Sequence, residues 1–179
     1  MNSGIEVEAR WIKQDPKIIE EKLRILRAKK VGDFFFKEWI FELEEWRKDH
    51  RRIRVRTDGK STWLTYKANK TWEVDSTEEV ELTVSSAEEA VKFVKAAGIP
   101  CTRYQEKKRI RYVIDDIIFE IDFWPQIPMV LEIEAPSVEK VKEGAQRLGL
   151  KWEEAIFEDQ KVVHRKYFNV DLDKVTDYR

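Results

Sequence analysis

Cysteine is almost absent. Cys101 stands alone, so no internal disulfide can form, no zinc-type Cys spacing exists, and a reducing compartment, by default the cytoplasm, is expected. Net charge is almost absent too: 34 Lys and Arg oppose 35 Asp and Glu, leaving -1. That balance argues against a protein built mainly to neutralise a nucleic-acid backbone. No apolar run approaches the roughly 20 residues that span a bilayer, and charge enters within the first ten residues. Neither a signal peptide nor a membrane span is expected. GxxxxGK[ST] and GxGxxG are missing, which excludes P-loop and Rossmann sites on sequence.

What is present is charge of both signs, 39% of 179 residues beside 42% apolar ones. This length and composition suit one globular domain over residues 1–179, large enough for a core without disulfides or a structural metal. Residues 4–13 alternate as a strand does. Asp15 caps and Pro16 opens a helix expected to run to about Lys29. An aromatic strand is expected from Asp33 to Leu43, then a hairpin turning at Asp58-Gly59 and a strand through "EEVELTV". Ser86 and Glu89 start a helix that ends at Gly98 and packs through Ala90, Val91, Phe93 and Val94. A second hairpin turns at Asp115-Asp116, a strand follows in "MVLEIEA", and Ser137 caps a helix to about Leu148, with Gly149 as its stop. A last helix is expected over Glu153 to Phe168.

The strands share a pattern. Side chains of one parity lie on one face, and nearly every predicted strand puts charge on one parity. The sets are Glu6, Glu8 and Arg10; Arg52, Arg54 and Arg56; Lys67 with Thr65; Glu79 and Glu81; Lys107, Arg109 and Arg111; Glu120 and Asp122; Glu132 and Glu134. The opposite face is mostly aliphatic or aromatic, as in Ile53 and Val55, Ile117 and Phe119, and Leu131 and Ile133, with Trp63, Leu64 and Tyr66 fitting less cleanly. For one strand, a buried apolar face and a wet charged face suffice. For all of them, same-sign neighbours such as Arg54/Arg56 and Glu132/Glu134 repel unless opposite charge, metal or ligand sits beside them. The alternative is an α+β fold in which an antiparallel sheet closes into a barrel, charged face inward, with helices on the outside.

Such an interior has its own chemistry. The carboxylates of Glu6, Glu8, Glu132 and Glu134, with Glu81 and Asp122, are oxygen ligands suited to Mg²⁺ or Mn²⁺. Arginine adds permanent charge and a planar fork matched to phosphate oxygens. Cations and basic clamps on one surface point to a polyphosphate.

The opening "EVEAR", followed in order by "RIRVR", "LTYK", "EEVEL", "KKR", "FEID" and "LEIE", resembles the CYTH superfamily, the triphosphate tunnel metalloenzymes. The resemblance runs from Ile5 to about Glu134. It implies an eight-stranded antiparallel tunnel holding a triphosphate and one or two divalent metals. By motif, Glu6, Glu8, Glu132 and Glu134 would hold metal, with Asp122 and Glu81 supporting it, and Arg54, Arg56, Lys67 and Arg109 would grip phosphates. Arg10 departs from the family's usual Lys, to which a part in activating water has been ascribed. Arginine stays protonated, so Arg10 reads as a phosphate clamp at the catalytic centre with Glu6 and Glu8, and metal-bound water is the candidate for activation.

Other conspicuous residues are given bland roles. His164 is expected on a solvated helix face, and most of the seven tryptophans in the core, with Trp63, Trp72 and Trp124 undecided. "KDHRRIRVR" is the best nucleic-acid candidate but lacks interleaved aromatics. The reading is a metal-dependent triphosphatase acting on inorganic or nucleoside triphosphate. Adenylyl cyclisation of ATP, a non-catalytic polyphosphate-binding module and an open structural sheet are the alternatives. No nucleic-acid or membrane partner is expected, and whether the chain forms a homodimer stays open.

Overall fold

A computed structural model describes residues 2–69 and 77–179, with side chains except at positions 2–6, 49, 69 and 77. Trp72 and the side chain of Glu6 therefore lie outside the described residues. The alternating N-terminal segment is two strands, Asn2–Glu6 (β1) and Glu8–Trp11 (β2), with Val7 between them. Asp15 caps the helix Pro16–Ile25 (α1) by accepting from Lys17 N and Ile18 N. That helix stops short of the expected Lys29: Arg27 turns left-handed, φ 57°, and strand Lys29–Phe41 (β3) begins just beyond it.

Strands Arg52–Thr57 (β4) and Thr62–Asn69 (β5) form the first hairpin. Gly59 there takes φ 87°, while the Asp58 carboxylate accepts from Lys60 N and Ser61 N. Thr77–Val84 (β6) precedes the helix Ala87–Ala96 (α2), capped by Ser86. It packs through Ala90 and Val94, but Phe93, expected in that contact, is 70% exposed. The helical spacing places it on the outer edge of the stripe. Cys101–Ile114 (β7) and Ile117–Phe123 (β8) meet across Asp115-Asp116, and Val130–Glu134 (β9) leads to the helix Val138–Arg147 (α3).

The expected helix from Glu153 to Phe168 is broken. A 3-10 turn at Trp152–Glu154 gives way to extended chain, and only Gln160–Phe168 (α4) is α-helical. The break has a cause: Ile156 exchanges both backbone hydrogen bonds with Arg10 at 2.9 Å, a pairing that helical chain cannot make. A short strand, Asp177–Tyr178 (β10), ends the chain.

The strands follow the order β1-β6-β5-β4-β3-β7-β8-β9-β2, antiparallel throughout, with β10 parallel to β7. Counting β1 and β2 as one interrupted strand leaves eight in a sheet that curls into a half-barrel accompanied by four helices. The apolar parity faces outward under the helices. Ala9, Trp11, Phe119, Ile121, Leu131 and Ile133 meet Ile19 and Leu23 of α1 and Val141, Ala145 and Leu148 of the α3 region. A Cβ on Gly144 would come within 2.9 Å of Ile117 and 3.0 Å of Ile133, so α3 lies as close to the sheet as a glycine permits. Phe41, Val55, Ala90 and Val94 join α2 to β3 and β4.

His164, expected in solvent, is fully buried on α4, with Trp124 and Tyr178 ring centroids at 5.2 and 5.6 Å. Its Nδ1 lies 2.8 Å from the Gln160 carbonyl oxygen. Burial pushes its pKa down from 6.5 to about 4, against the pull of that hydrogen bond. Such a histidine stays neutral while the unfolded chain takes up a proton, so it contributes stability above pH 6.5 that is lost as pH falls toward 4. Urea unfolding at pH 7 and pH 5 should show a loss of about 2 kcal/mol through this residue. A His164→Asn variant should lack that part of the slope.

Candidate functional site

The inward parity collects on a cavity of about 310 Å³, at the lower end of the usual range for small-molecule sites. It gathers Glu8 and Arg10 from β2, Glu132 and Glu134 from β9, and Glu120 from β8. Also lining it are Arg54 and Arg56 from β4, Lys67 from β5, Lys107, Arg109 and Arg111 from β7, and Glu79 and Glu81 from β6. Asp122 lies just behind, 1% exposed and bonded to two of the lining cations. Of the metal- and phosphate-site residues assigned on sequence, Glu6 alone lies outside the described side chains.

Sheet register decides who meets whom. Arg109 lies across from Asp122, Arg111 from Glu120, Arg10 from Glu132, Lys67 from Glu79 and Arg56 from Glu38. Arg109 is the hub of one network. Its Nε meets Asp122 Oδ1 at 2.5 Å and its NH2 meets Glu132 Oε2 at 2.7 Å, with Glu120 also paired to it. Lys107 Nζ donates to Asp122 Oδ2 at 2.6 Å. Arg10 contacts Glu132 at 2.6 Å and Glu8 at 2.5 Å, and donates to the Glu158 carbonyl at 3.0 Å.

Burial alone would raise the Glu132 carboxyl, but Arg10 and Arg109 outweigh it and hold the group well below the usual carboxylate range. Arg109 is held above its ordinary value, because Asp122 and Glu120 outweigh its burial. Burial, reinforced by Arg109, pushes Lys107 down to about 8 despite Asp122.

Sequence reasoning missed a second network. Glu38, 1% exposed on β3, accepts from Arg56 Nε at 2.5 Å and from Gln105 Nε2 at 2.5 Å. Burial would raise Glu38, yet Arg56, Lys107 and Arg54 together hold it far below 4.5. The signal was an acid sharing the parity of Phe34, Phe36 and Ile40. Trp63, which the sequence left undecided, shares the lumen with Lys67.

Arg54 stands apart from these tight pairs. Its nearest carboxylates, Glu81 and Glu38, are 3.9 and 4.0 Å away. Its Nε–H is buried with no acceptor among the described residues, the unsatisfied donor that an oxyanion would complete.

The donor set fits a hard cation. Glu8 lies directly across from Glu134, and Glu132 follows on the same face. Among the described residues no three His, Cys, Asp or Glu form a ready metal cage. Two facing carboxylates are what Mg²⁺ commonly takes when substrate phosphates and water complete its shell.

Several solved structures share this fold. A protein of Pyrococcus horikoshii OT3 superposes with TM-score 0.76 at 22% identity, covering 96% of this chain and 99% of its own. A candidate adenylate cyclase of Vibrio parahaemolyticus gives 0.77 at 11%, covering 90% and 98%. A candidate adenylyl cyclase of Hippeastrum, with a dominant triphosphatase activity, gives 0.61 at 16%, covering 94% and 98%. No curated protein matches. A family model described as the CYTH domain matches residues 4–167.

Removing the Glu38 charge should expose the cost of the buried cations around it. Glu38→Gln should lower the unfolding free energy by about 3–5 kcal/mol, measured in urea at pH 7, because Arg56 loses its buried partner. Replacing both, Glu38→Leu with Arg56→Met, should recover much of that loss. A depressed carboxylate contributes stability above pH 4.5 that fades as pH falls through its folded value.

Proposed function

The chain belongs to the CYTH domain family, and from that premise we propose a divalent-metal-dependent triphosphatase that holds inorganic or nucleoside triphosphate inside the charged cavity. The observation that carries the reading is Arg54, a partly buried guanidinium whose buried Nε–H has no acceptor among the described residues, beside Arg56, Lys67 and Arg109. A polyanion supplies the missing oxygens.

The same reading includes closure of the sheet into a tunnel. Support comes from the edge strands: β1 pairs with β6, β2 pairs with β9, and only Val7 separates them. Ile156 pairs with Arg10, and Asp159 meets Arg52 at 3.4 Å, so the 156–159 segment spans from β2 to β4.

In the proposed site Glu6, Glu8, Glu132 and Glu134 hold Mg²⁺ or Mn²⁺, with Glu81 and Asp122 in support. The ion, when bound, supplies Lewis acidity toward phosphate oxygens and water. Arg54, Arg56, Lys67 and Arg109 bind and orient the phosphate chain, and their fixed charges meet the charge that spreads over the transferring phosphoryl group. Arg109 is already locked to three carboxylates, so it acts as a rigid wall, whereas the looser Arg54 is the side chain free to close on an oxygen. Arg10 stays protonated and cannot take a proton from water. It fixes Glu8 and Glu132 in place and adds charge near the phosphates.

Purified protein with Mg²⁺ or Mn²⁺ should release phosphate from inorganic triphosphate or ATP, and EDTA should stop it. Glu8→Gln should lower kcat about 100-fold or more while the fold persists by circular dichroism. Pyrophosphate and cyclic nucleotide released from ATP would convert the reading to a cyclase. Tight triphosphate binding without turnover would convert it to a binding module.

A further inference from the structure

Arg56 is gripped on an edge and on a face. Glu38, its register partner on β3, accepts from Arg56 Nε through Oε1 at 2.5 Å, and the Phe36 ring centroid lies 4.7 Å from the guanidinium carbon. The two terminal amino groups of Arg56 have no hydrogen-bond partner among the described residues. Arg109 differs, since all three of its nitrogens meet carboxylates. Arg54 differs the other way, with no carboxylate nearer than 3.9 Å among the described residues. Of these three arginines, Arg56 alone is both fixed and unspent.

Glu38 is itself held from behind. Gln105, its register partner on β7, donates from Nε2 to Glu38 Oε2 at 2.5 Å, while Gln105 Oε1 accepts from Arg103 Nε at 2.7 Å. Arg103 in turn donates from Nη1 to the Leu172 carbonyl oxygen at 2.9 Å. Arginine can only donate and an ionised carboxylate can only accept, so one orientation of the Gln105 amide satisfies both. Arg103, Gln105, Glu38 and Arg56 are all buried.

A countercharge needs none of this, because it can act from any side of a guanidinium. What the relay fixes is direction. With Nε spent on Glu38, the planar fork of Nη1 and Nη2 is left for an oxyanion in the cavity that Arg56 lines. The same acid stands 4.0 Å from Arg54, where its charge opposes an arriving phosphate. It weakens binding while it aligns a clamp, a balance that favours turnover over tight binding.

We propose that Glu38 is a positioning residue, which acts through Arg56 by turning the terminal fork of that arginine toward the phosphate chain. This rests on the triphosphate reading above and adds to it a residue that touches neither metal nor substrate.

The test reads kcat and KM for inorganic triphosphate with Mg²⁺ or Mn²⁺, per folded molecule as given by circular dichroism. Glu38→Gln should lower kcat about tenfold or more and lower KM with it, because the fork loses its anchor and the anion loses a repulsion. In an Arg56→Met background the same substitution should change kcat no further. Glu38→Gln combined with Gln105→Glu moves the charge one strand over, keeps an acceptor for Arg56 Nε and should return most of kcat. Where the single variant does not fold, this pair decides, and a kcat still down tenfold would count against the proposal. An unchanged kcat in Glu38→Gln, a KM that rises, or a loss that persists in the Arg56→Met background would overturn it and leave the triphosphatase reading standing. If wild type binds inorganic triphosphate without turnover, that reading ends and calorimetry decides for Glu38: tighter binding by Glu38→Gln sustains its role, and equal or weaker binding overturns it. If wild type binds no triphosphate, both fall.

Discussion

Moving a carboxylate or a guanidinium out of water costs several kcal/mol unless an opposite charge meets it in good geometry, and this sheet turns whole rows of both to one side. Register settles the matter. Arg109 with Asp122, Arg10 with Glu132, Lys67 with Glu79 and Arg56 with Glu38 are directly opposed residues on neighbouring strands. A one-residue slip would send each set to the other face and strand its partners. The charged lumen therefore specifies the pairing of the strands as firmly as the apolar face does, and site and scaffold are one set of contacts. Two register pairs set carboxylate against carboxylate, Glu8 with Glu134 and Glu120 with Glu132, and cations stand beside them: Arg10 meets Glu8, and Arg109 meets Glu120 and Glu132.

Much of this was legible because a strand has a period of two. Parity put Glu132, Arg54 and Arg109 each on the charged face of its own strand, and the described strands turn those faces to one cavity. Parity is silent on height along the cavity, which depends on register and on bulges such as the shift between Lys30 and Gly32 in β3. It also misled where chemistry overrode type. Trp63, which hydrophobicity left undecided, goes with Lys67 by position. Glu38 was passed over in an aromatic run whose parity placed it beside Arg56. His164 and the broken helix before it fail for another reason: both depend on long-range contacts, Tyr178 for one and Arg10 for the other. No local pattern reports those.

The structural relatives share this architecture at 11–22% identity. In this chain Arg10 shows what one side chain of the charged row contributes. A guanidinium fills a cationic position, with Glu8 and Glu132 pinned by its fork, but it cannot give up its proton as an amine can.

The interrupted N-terminal strand has a consequence for how the chain is made. β2 leaves the ribosome well before its partners, which are β9, at Val130–Glu134, and Ile156. At ordinary synthesis rates those partners emerge on the order of ten seconds later. Until then Ala9 and Trp11, fully buried at the end, have only α1 of their native neighbours to pack against. β2 is thus among the last strands to find its place, and the nascent protein must keep an apolar edge from pairing with a stranger in the meantime.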